Sequence, residues 1–226
     1  MIDDINFLLV GNSRLHWAEN LQTKYKFFHT QKKNNVPQNI NLNNLIWASV
    51  GKLPDLSLKQ ENRISTQDIK LKNLPNHFGV DRALGCLEAL KTIENPSRKE
   101  LLIADFGTTL SLTKLTAQGS IIGGQITPGF QTQLRSMEKY TKNLKAPKKY
   151  DIPVQDFLIN TEDSMLKGVS NSLMGVINLS FNPSQDILIM CGGDSELMGS
   201  LLKQKKEEII IAPNLVMQGM ITHFNH

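Results

Sequence analysis

Glycine turns flanked by hydroxyl side chains, with carboxylates close by in sequence, are the features of this chain best suited to chemistry. Gly11-Asn12-Ser13 follows the apolar run Ile5 to Val10, and Gly107-Thr108-Thr109 follows Leu101 to Ala104 through Asp105-Phe106. A tight turn between two strands exposes consecutive backbone N–H groups and the hydroxyls add donors, which together make a nest for phosphate oxygens. Taken singly, each is also an ordinary hairpin turn. Superposing the two on their glycines sets Leu9 against Asp105, Asn12 against Thr108 and Ser13 against Thr109, and this repetition favours the phosphate reading. A third glycine turn, Gly192-Gly193, either faces a nucleotide's sugar and base or simply leads the chain into the next helix.

Two carboxylates stand out beside these turns. Asp105 directly follows an apolar strand and precedes a glycine turn, so it suits Mg2+, which needs an oxygen ligand or a ligand for its waters; the plainer role is an Asx side chain capping the hairpin. In Gly79-Val80-Asp81-Arg82 a carboxylate and a guanidinium sit side by side at a helix start. There Asp81 is either an N-cap beside a surface arginine, or a base that takes a proton from an attacking hydroxyl while Arg82 grips an anionic substrate group.

Other motifs carry less. Gly123-Gly124-Gln125-Ile126-Thr127-Pro128-Gly129 lets backbone approach a ligand or a facing domain, and packing alone accounts for it equally well. Gly168, Ser172 and Gly175 share one side of a helix, which suits close helix contact, between subunits for example. His16, His29, His77, His223 and His226 lack metal-ligand spacing, and Trp17 and Trp47 read as core. Lys32-Lys33, Lys148-Lys149 and Lys205-Lys206 lack interleaved aromatics and read as solvated faces, so nucleic acid is not implied.

The elements that must position these residues alternate strand and helix, which means an α/β fold. Strands are expected at Ile5 to Val10, Arg14 to Ala18, Leu101 to Ala104, Leu110 to Leu115, Ser120 to Ile126, Ile187 to Met190 and Ile209 to Ile211. Helices are expected at Arg82 to Ile93, Pro128 to about Asn143, Thr161 to Phe181, from Ser195 and after Pro213. The doubled hairpin implies two similar domains, residues 1–98 and 99–226, with a polar seam at Asn95 to Glu100.

Composition agrees with this and excludes several classes. The 226 residues (25.4 kDa) are 40% hydrophobic and 20% charged with a net charge of +4, ordinary globular usage. The two cysteines, Cys86 and Cys191, suit neither a zinc site nor a secreted disulfide scaffold. No apolar run nears the ~20 residues that span a bilayer, and Asp3 and Asp4 stand where a signal peptide would be basic. A cytoplasmic protein with no membrane partner is expected.

Four of these motifs, in order, resemble the type III pantothenate kinases. That family belongs to the actin, hexokinase and heat-shock chaperone superfamily, with two ribonuclease-H-like domains and a cleft between them. The family pattern D-x-G-N-[ST] meets Leu9 to Ser13, G-x-D-R meets Gly79 to Arg82, D-x-G-T meets Asp105 to Thr108, and G-G-x-I-x-P-G meets Gly123 to Gly129. The resemblance implies transfer of the ATP γ-phosphate to the terminal hydroxyl of pantothenate, the first step of coenzyme A biosynthesis. It further implies a homodimer, Mg2+ and a monovalent cation, K+ or NH4+. Carried over position by position, Asp81 is the general base, Arg82 with Gly79 and Val80 binds pantothenate, and Asp105 organises the metal. Gly11, Asn12, Ser13, Gly107, Thr108, Thr109, Gly192 and Gly193 bind ATP, and Thr161 reaches pantothenate from the partner subunit.

One position departs from the pattern. Leu9 replaces the family's first aspartate, and Asp3 and Asp4 cannot substitute without breaking the Gly11 register. Position 9 is nonetheless expected to face the phosphates, with a Leu9→Asp change tolerated by the fold. Two alternatives follow: a catalytically weakened or non-catalytic nucleotide-binding regulatory relative, or a kinase of another small hydroxylated substrate.

Overall fold

The computed structural model describes residues 5–32, 36–94, 98–202 and 209–225. Asp3, Asp4, Lys33, residues 95–97 of the seam, Lys205, Lys206 and His226 lie outside that set.

Two sheets of like design carry the fold. In the first, β1 (Asn6–Val10), β2 (Arg14–Asn20), β3 (Tyr25–Gln31) and β4 (Leu45–Ser49) run in the order β3-β2-β1-β4. β1–β2 and β2–β3 are antiparallel, and β4 returns parallel to β1, with Leu9 opposite Ala48 and Val10 opposite Ser49. In the second, β5 (Glu100–Phe106), β6 (Thr109–Leu115), β7 (Ile121–Pro128), β8 (Asp186–Cys191) and β9 (Ile209–Ile211) run β7-β6-β5-β8-β9. β8 is parallel to both neighbours and sets Cys191 opposite Asp105. Five helices accompany the sheets among the described residues: α1 (Val80–Thr92), α2 (Phe130–Tyr140), α3 (Thr161–Ser180), α4 (Ser195–Gly199) and α5 (Leu215–Phe224).

The chain's contacts group into two units: Met1–Arg98 with Leu115–Ile121 and Asn214–His226, and Lys99–Lys114 with Ile122–Pro213. Chain order therefore does not dictate membership. The sequence reading assigns residues 214–226 to the second domain, yet α5 packs along α1. A Cβ on Gly219 of α5 would collide with the Leu84 carbonyl of α1, and Gly85 of α1 faces Val216 and Leu215. Glycine at these positions lets the two helix backbones approach closely.

In the first unit the central strand β1 is buried on both faces. Phe7, Leu9 and Ala18 pack with Val80, Ala83 and Leu84 of α1 and with Met217 and Met220 of α5. Leu8, Val10, Leu15, Trp17 and Trp47 fill the opposite face. Both tryptophans are core, as read from sequence, and their indole N–H groups donate to Thr30 Oγ1 at 3.0 Å and to the Lys59 carbonyl at 2.7 Å. Burial of each contributes about 2–3 kcal/mol of apolar transfer, because the polar tip is not left unpaired.

In the second unit Leu102, Ala104, Phe106, Leu110 and Leu112 pack against Phe130 and Leu134 of α2 and Leu166, Val169 and Leu173 of α3. A charge cluster ties three adjacent strands: Lys114 Nζ of β6 lies 3.0 Å from Glu100 Oε2 of β5 and 3.0 Å from Asp186 Oδ1 of β8. The Asp186 contact is coulombic rather than an aligned hydrogen bond. Its other oxygen accepts the Asn182 N–H at 2.8 Å, which further offsets the cost of burying the carboxylate.

Candidate active site

In the first unit the apolar run of β1 ends at Val10, and the Gly11 N–H donates across the turn to the Arg14 carbonyl at 3.0 Å. Asn12 and Ser13 are exposed at the turn's tip. The loop after β4 is laced to the end of β1, since the N–H groups of Val50 and Gly51 both donate to the Val10 carbonyl, at 3.0 and 3.2 Å. A Cβ on Gly51 would collide with the Gly11 carbonyl, so glycine there allows one loop to lie directly on the other.

Two residues near this turn, Leu9 and Lys32, differ from expectation. Leu9 is only 6% exposed and belongs to the apolar cluster with Phe7, Ala48 and Val80. The strand alternation that sends Phe7 into the core sends Leu9 there too, so the position is packing first. His16 backs the turn, its Nε2 3.2 Å from where a Gly11 Cβ would stand. Burial, then His29 and Arg14, push its pKa down to about 4, which keeps the imidazole neutral. Lys32, read from sequence as part of a solvated pair, donates from Nζ to the Lys52 carbonyl at 3.0 Å. Nothing in its sequence context marks that contact, because the loop bearing Lys52 reaches it only through the sheet.

Gly79 is the N-cap of α1, in an extended conformation, and Asp81 is the second residue inside the helix rather than its cap. The Asp81 carboxylate folds back over the helix start, where Oδ1 accepts the Arg82 N–H at 2.8 Å. That oxygen lies 2.6 Å from where a Gly79 Cβ would be, so a side chain at 79 would push the carboxylate aside. Burial raises the Asp81 pKa above the ordinary carboxylate value, while the Arg82 N–H and the Arg82 charge pull the other way. The Arg82 guanidinium stacks over the Phe78 ring at 4.1 Å, a cation–π contact that orients its planar fork. The next turn carries Cys86, whose thiol burial pushes up to about 12 and so makes inert.

In the second unit the equivalent turn is one residue shorter. The Gly107 N–H donates to the Thr109 carbonyl at 3.0 Å, and Thr109 opens β6, whereas Ser13 precedes β2. Gly107, Thr108 and Thr109 are exposed. The last glycine of the 123–129 segment closes onto this turn: the Gly129 N–H donates to the Thr108 carbonyl at 3.0 Å, Thr132 Oγ1 donates to the same oxygen at 2.6 Å, and a Cβ on Gly129 would collide with the Gly107 carbonyl. That motif thus has a packing role within its own unit.

Asp105 ends the buried run of β5 beside the third glycine turn. Gly192 has φ +86°, and a Cβ there would collide with Asp105 Oδ1 and lie 2.6 Å from the Phe106 carbonyl. The Asp194 N–H donates to the Phe106 carbonyl at 3.1 Å, and Ser195 Oγ donates back to the Gly192 carbonyl at 2.7 Å. Asp105, the 107–109 turn and the 192–193 turn therefore converge in the second unit. Thr161, exposed at the first position of α3, lines a cavity of about 570 Å³ with Pro128, Gln133, Met137 and Gly168. Asn160 caps that helix through the Asp163 N–H at 3.0 Å.

Among the described residues no group of three or more His, Cys, Asp or Glu is placed to hold a metal. A single carboxylate with substrate phosphates and waters is nevertheless a common way to hold Mg2+, and Asp105 beside two glycine turns suits that donor set.

Comparisons with known proteins fit this geometry. The family model described as type III pantothenate kinase matches residues 8–182. A type III pantothenate kinase from Synechocystis sp. is 27% identical over 232 residues, covering 94% of this chain and 87% of that protein. Some other curated relatives are matched over 59% to 64% of their own length. Among solved structures, a Campylobacter jejuni protein described as a Baf family transcriptional activator superposes with a TM-score of 0.67 at 17% identity, covering 98% of each chain. A Sinorhizobium meliloti protein described as a 2-dehydro-3-deoxygalactonokinase superposes with a TM-score of 0.55 at 9% identity, covering 97% of each. These structural likenesses concern the α/β fold. With the family model matched over most of its length, the chain belongs to the type III pantothenate kinase family.

Proposed function

We propose that this protein transfers the γ-phosphoryl group of ATP to the terminal hydroxyl of pantothenate, with Asp81 as general base. The observation that carries the reading is the Asp81 carboxylate, held by the Arg82 N–H at the start of α1 and raised in pKa by burial. A carboxylate with a raised pKa is a better proton acceptor near neutral pH than an ordinary one. Arg82 binds the pantothenate carboxylate through its planar fork, with Gly79 and Val80 shaping the substrate's approach.

Phosphoryl transfer through a loose transition state asks the protein mainly to position groups and neutralise charge. The turns Gly11-Asn12-Ser13 and Gly107-Thr108-Thr109 serve the phosphates, through the exposed Asn12, Ser13, Thr108 and Thr109, with Gly11 and Gly107 holding the turns by their own N–H bonds, and Gly192 and Gly193 serve the nucleoside. Asp105 is the residue that would hold Mg2+, which when bound neutralises phosphate charge. A monovalent cation, K+ or NH4+, completes the proposed requirements.

The reading includes a homodimer in the cytoplasm. Support for the dimer comes from an uncovered stripe on α3: Thr161, Gly168, Ser172, Gly175 and Leu179 recur at helical spacing, and a Cβ on Gly168 or Gly175 would meet nothing within 4 Å among the described residues. Leu179 is 92% exposed and Phe157, in the preceding loop, 97%. Thr161 shares that stripe, so a partner packed there would bring Thr161 to a shared substrate site. No described helix is long and apolar enough to cross a membrane, and the buried Cys86 and Cys191 form no disulfide.

A coupled assay with ATP and pantothenate, run with and without potassium, tests the reading. Wild-type protein is expected to turn over, and Asp81→Asn to lose about 100- to 10,000-fold in kcat. A variant as fast as wild type removes Asp81 from the mechanism. Leu9 favours a second reading, a relative that binds nucleotide without turning it over. Tight ATP binding with no turnover at any Mg2+ concentration would establish that instead.

A further inference from the structure

Lys32 is drawn to the first glycine turn by the sheet rather than by the sequence. The pairing of Arg14 with Gln31 closes the β2–β3 ladder, and Lys32 follows Gln31 directly. The loop after β4 lies on the same turn through Gly51, whose Cβ would collide with the Gly11 carbonyl. Lys32 Nζ meets that loop, donating to the Lys52 carbonyl at 3.0 Å and lying 2.8 Å from where a Gly51 Cβ would stand. The ammonium and the Gly11 carbonyl thus lie on either side of the same small space at Gly51, on the turn that carries the exposed Asn12 and Ser13. It carries three donors, of which the Lys52 carbonyl takes one, and among the described residues no carboxylate is paired with it.

We infer that Lys32 is a phosphate-contacting residue of the first turn, neutralising triphosphate charge where this chain has no carboxylate to bring a metal. The inference rests on the ATP-dependent reading above. Its physical basis is charge: Leu9 offers no ligand to a cation, backbone N–H groups carry only partial charge, and a fixed ammonium beside the nest supplies a full positive charge. Gly51 deepens the arrangement, because a larger residue there would displace both the turn and the ammonium.

The test compares Lys32→Gln and Lys32→Arg with wild type by calorimetric titration with ATP and with AMP, alongside steady-state kinetics. Lys32→Gln is expected to weaken ATP binding and raise the KM for ATP by about tenfold, the size of one charge-assisted hydrogen bond. AMP affinity and the KM for pantothenate should be unchanged, the deficit should widen as Mg2+ is lowered, and Lys32→Arg should recover most of the loss. Equal ATP affinity in Lys32→Gln and wild type overturns the inference, as does equal weakening of ATP and AMP, which would mean a distorted turn. If wild type binds ATP in the expected Lys32-dependent way but leaves pantothenate unphosphorylated, the substrate reading fails while the role of Lys32 stands.

Discussion

The two glycine turns are built on one plan and charged differently. Each follows a buried central strand, and each has a later glycine laid on the first glycine's carbonyl, Gly51 on Gly11 and Gly129 on Gly107. In the second unit the position two residues before the glycine is Asp105, beside Gly192. In the first it is Leu9, which points into an apolar cluster. The loop that lies on the first turn instead holds an ammonium, that of Lys32. The backbone of a glycine turn can thus persist while the charge around it is rewritten, because the turn is made of backbone groups and the charge belongs to side chains.

The largest effect that would break this comparison is at Asp105. Asp105→Asn is expected to lower kcat/KM by about 100-fold and to demand more Mg2+, as loss of one preorganised electrostatic partner does. Unchanged metal titration curves would make Asp105 structural and leave both turns without a metal carboxylate.

Leu9→Asp tests the other half of the contrast and is expected to cost about 3 kcal/mol of stability, through lost apolar burial and a carboxyl in the Phe7–Val80 cluster. The introduced acid would have a folded-state pKa above its unfolded value. The deficit should therefore be smallest at low pH, where the carboxyl is neutral in both states, and should grow as pH rises through the folded-state pKa. Melting curves at acid and neutral pH check this. A variant that melts like wild type at neutral pH would show that position 9 opens toward water and a ligand, as the sequence pattern suggests.

A smaller effect, in pH rather than rate, concerns Asp81. Because burial raises its pKa and Arg82 opposes the rise, Arg82→Met should move the acid limb of the kcat profile to higher pH while also raising the KM for pantothenate. The base works only when ionised, so a higher pKa means activity is lost at a higher pH on acidification. An acid limb that stays in place would separate the limb from Asp81.

Much of the fold was legible because its strands and helices obey simple periods. Thr161 opens α3 as expected, and the hairpins around Gly11 and Gly107 lie where apolar runs meet glycine. Two strands went unread. β3, Tyr-Lys-Phe-Phe-His-Thr-Gln, is an edge strand with no residue fully buried, and β4, Leu45–Ser49, is a short apolar segment without alternation. The superposition on glycines also slipped by one beyond the turn, since Ser13 sits in its turn and Thr109 in its strand. Turn length is set by how two strands pair, which residue type records only weakly.

The sequence by itself singled out the candidate residues: glycines where backbone must come close, Asp81 and Arg82 side by side at a helix start, and Asp105 at a strand's end. Those are local facts, fixed by residue type and spacing of a few positions. Only the tertiary structure decided that Leu9 faces the core, that Gly129 closes on Gly107, that α5 belongs with α1, and that Lys32 lies against the Gly51–Lys52 loop. Each of these depends on strand pairing or helix docking between segments distant in the chain. Such contacts are chosen by the burial and hydrogen bonding of the whole unit, and no short window of residues contains that information.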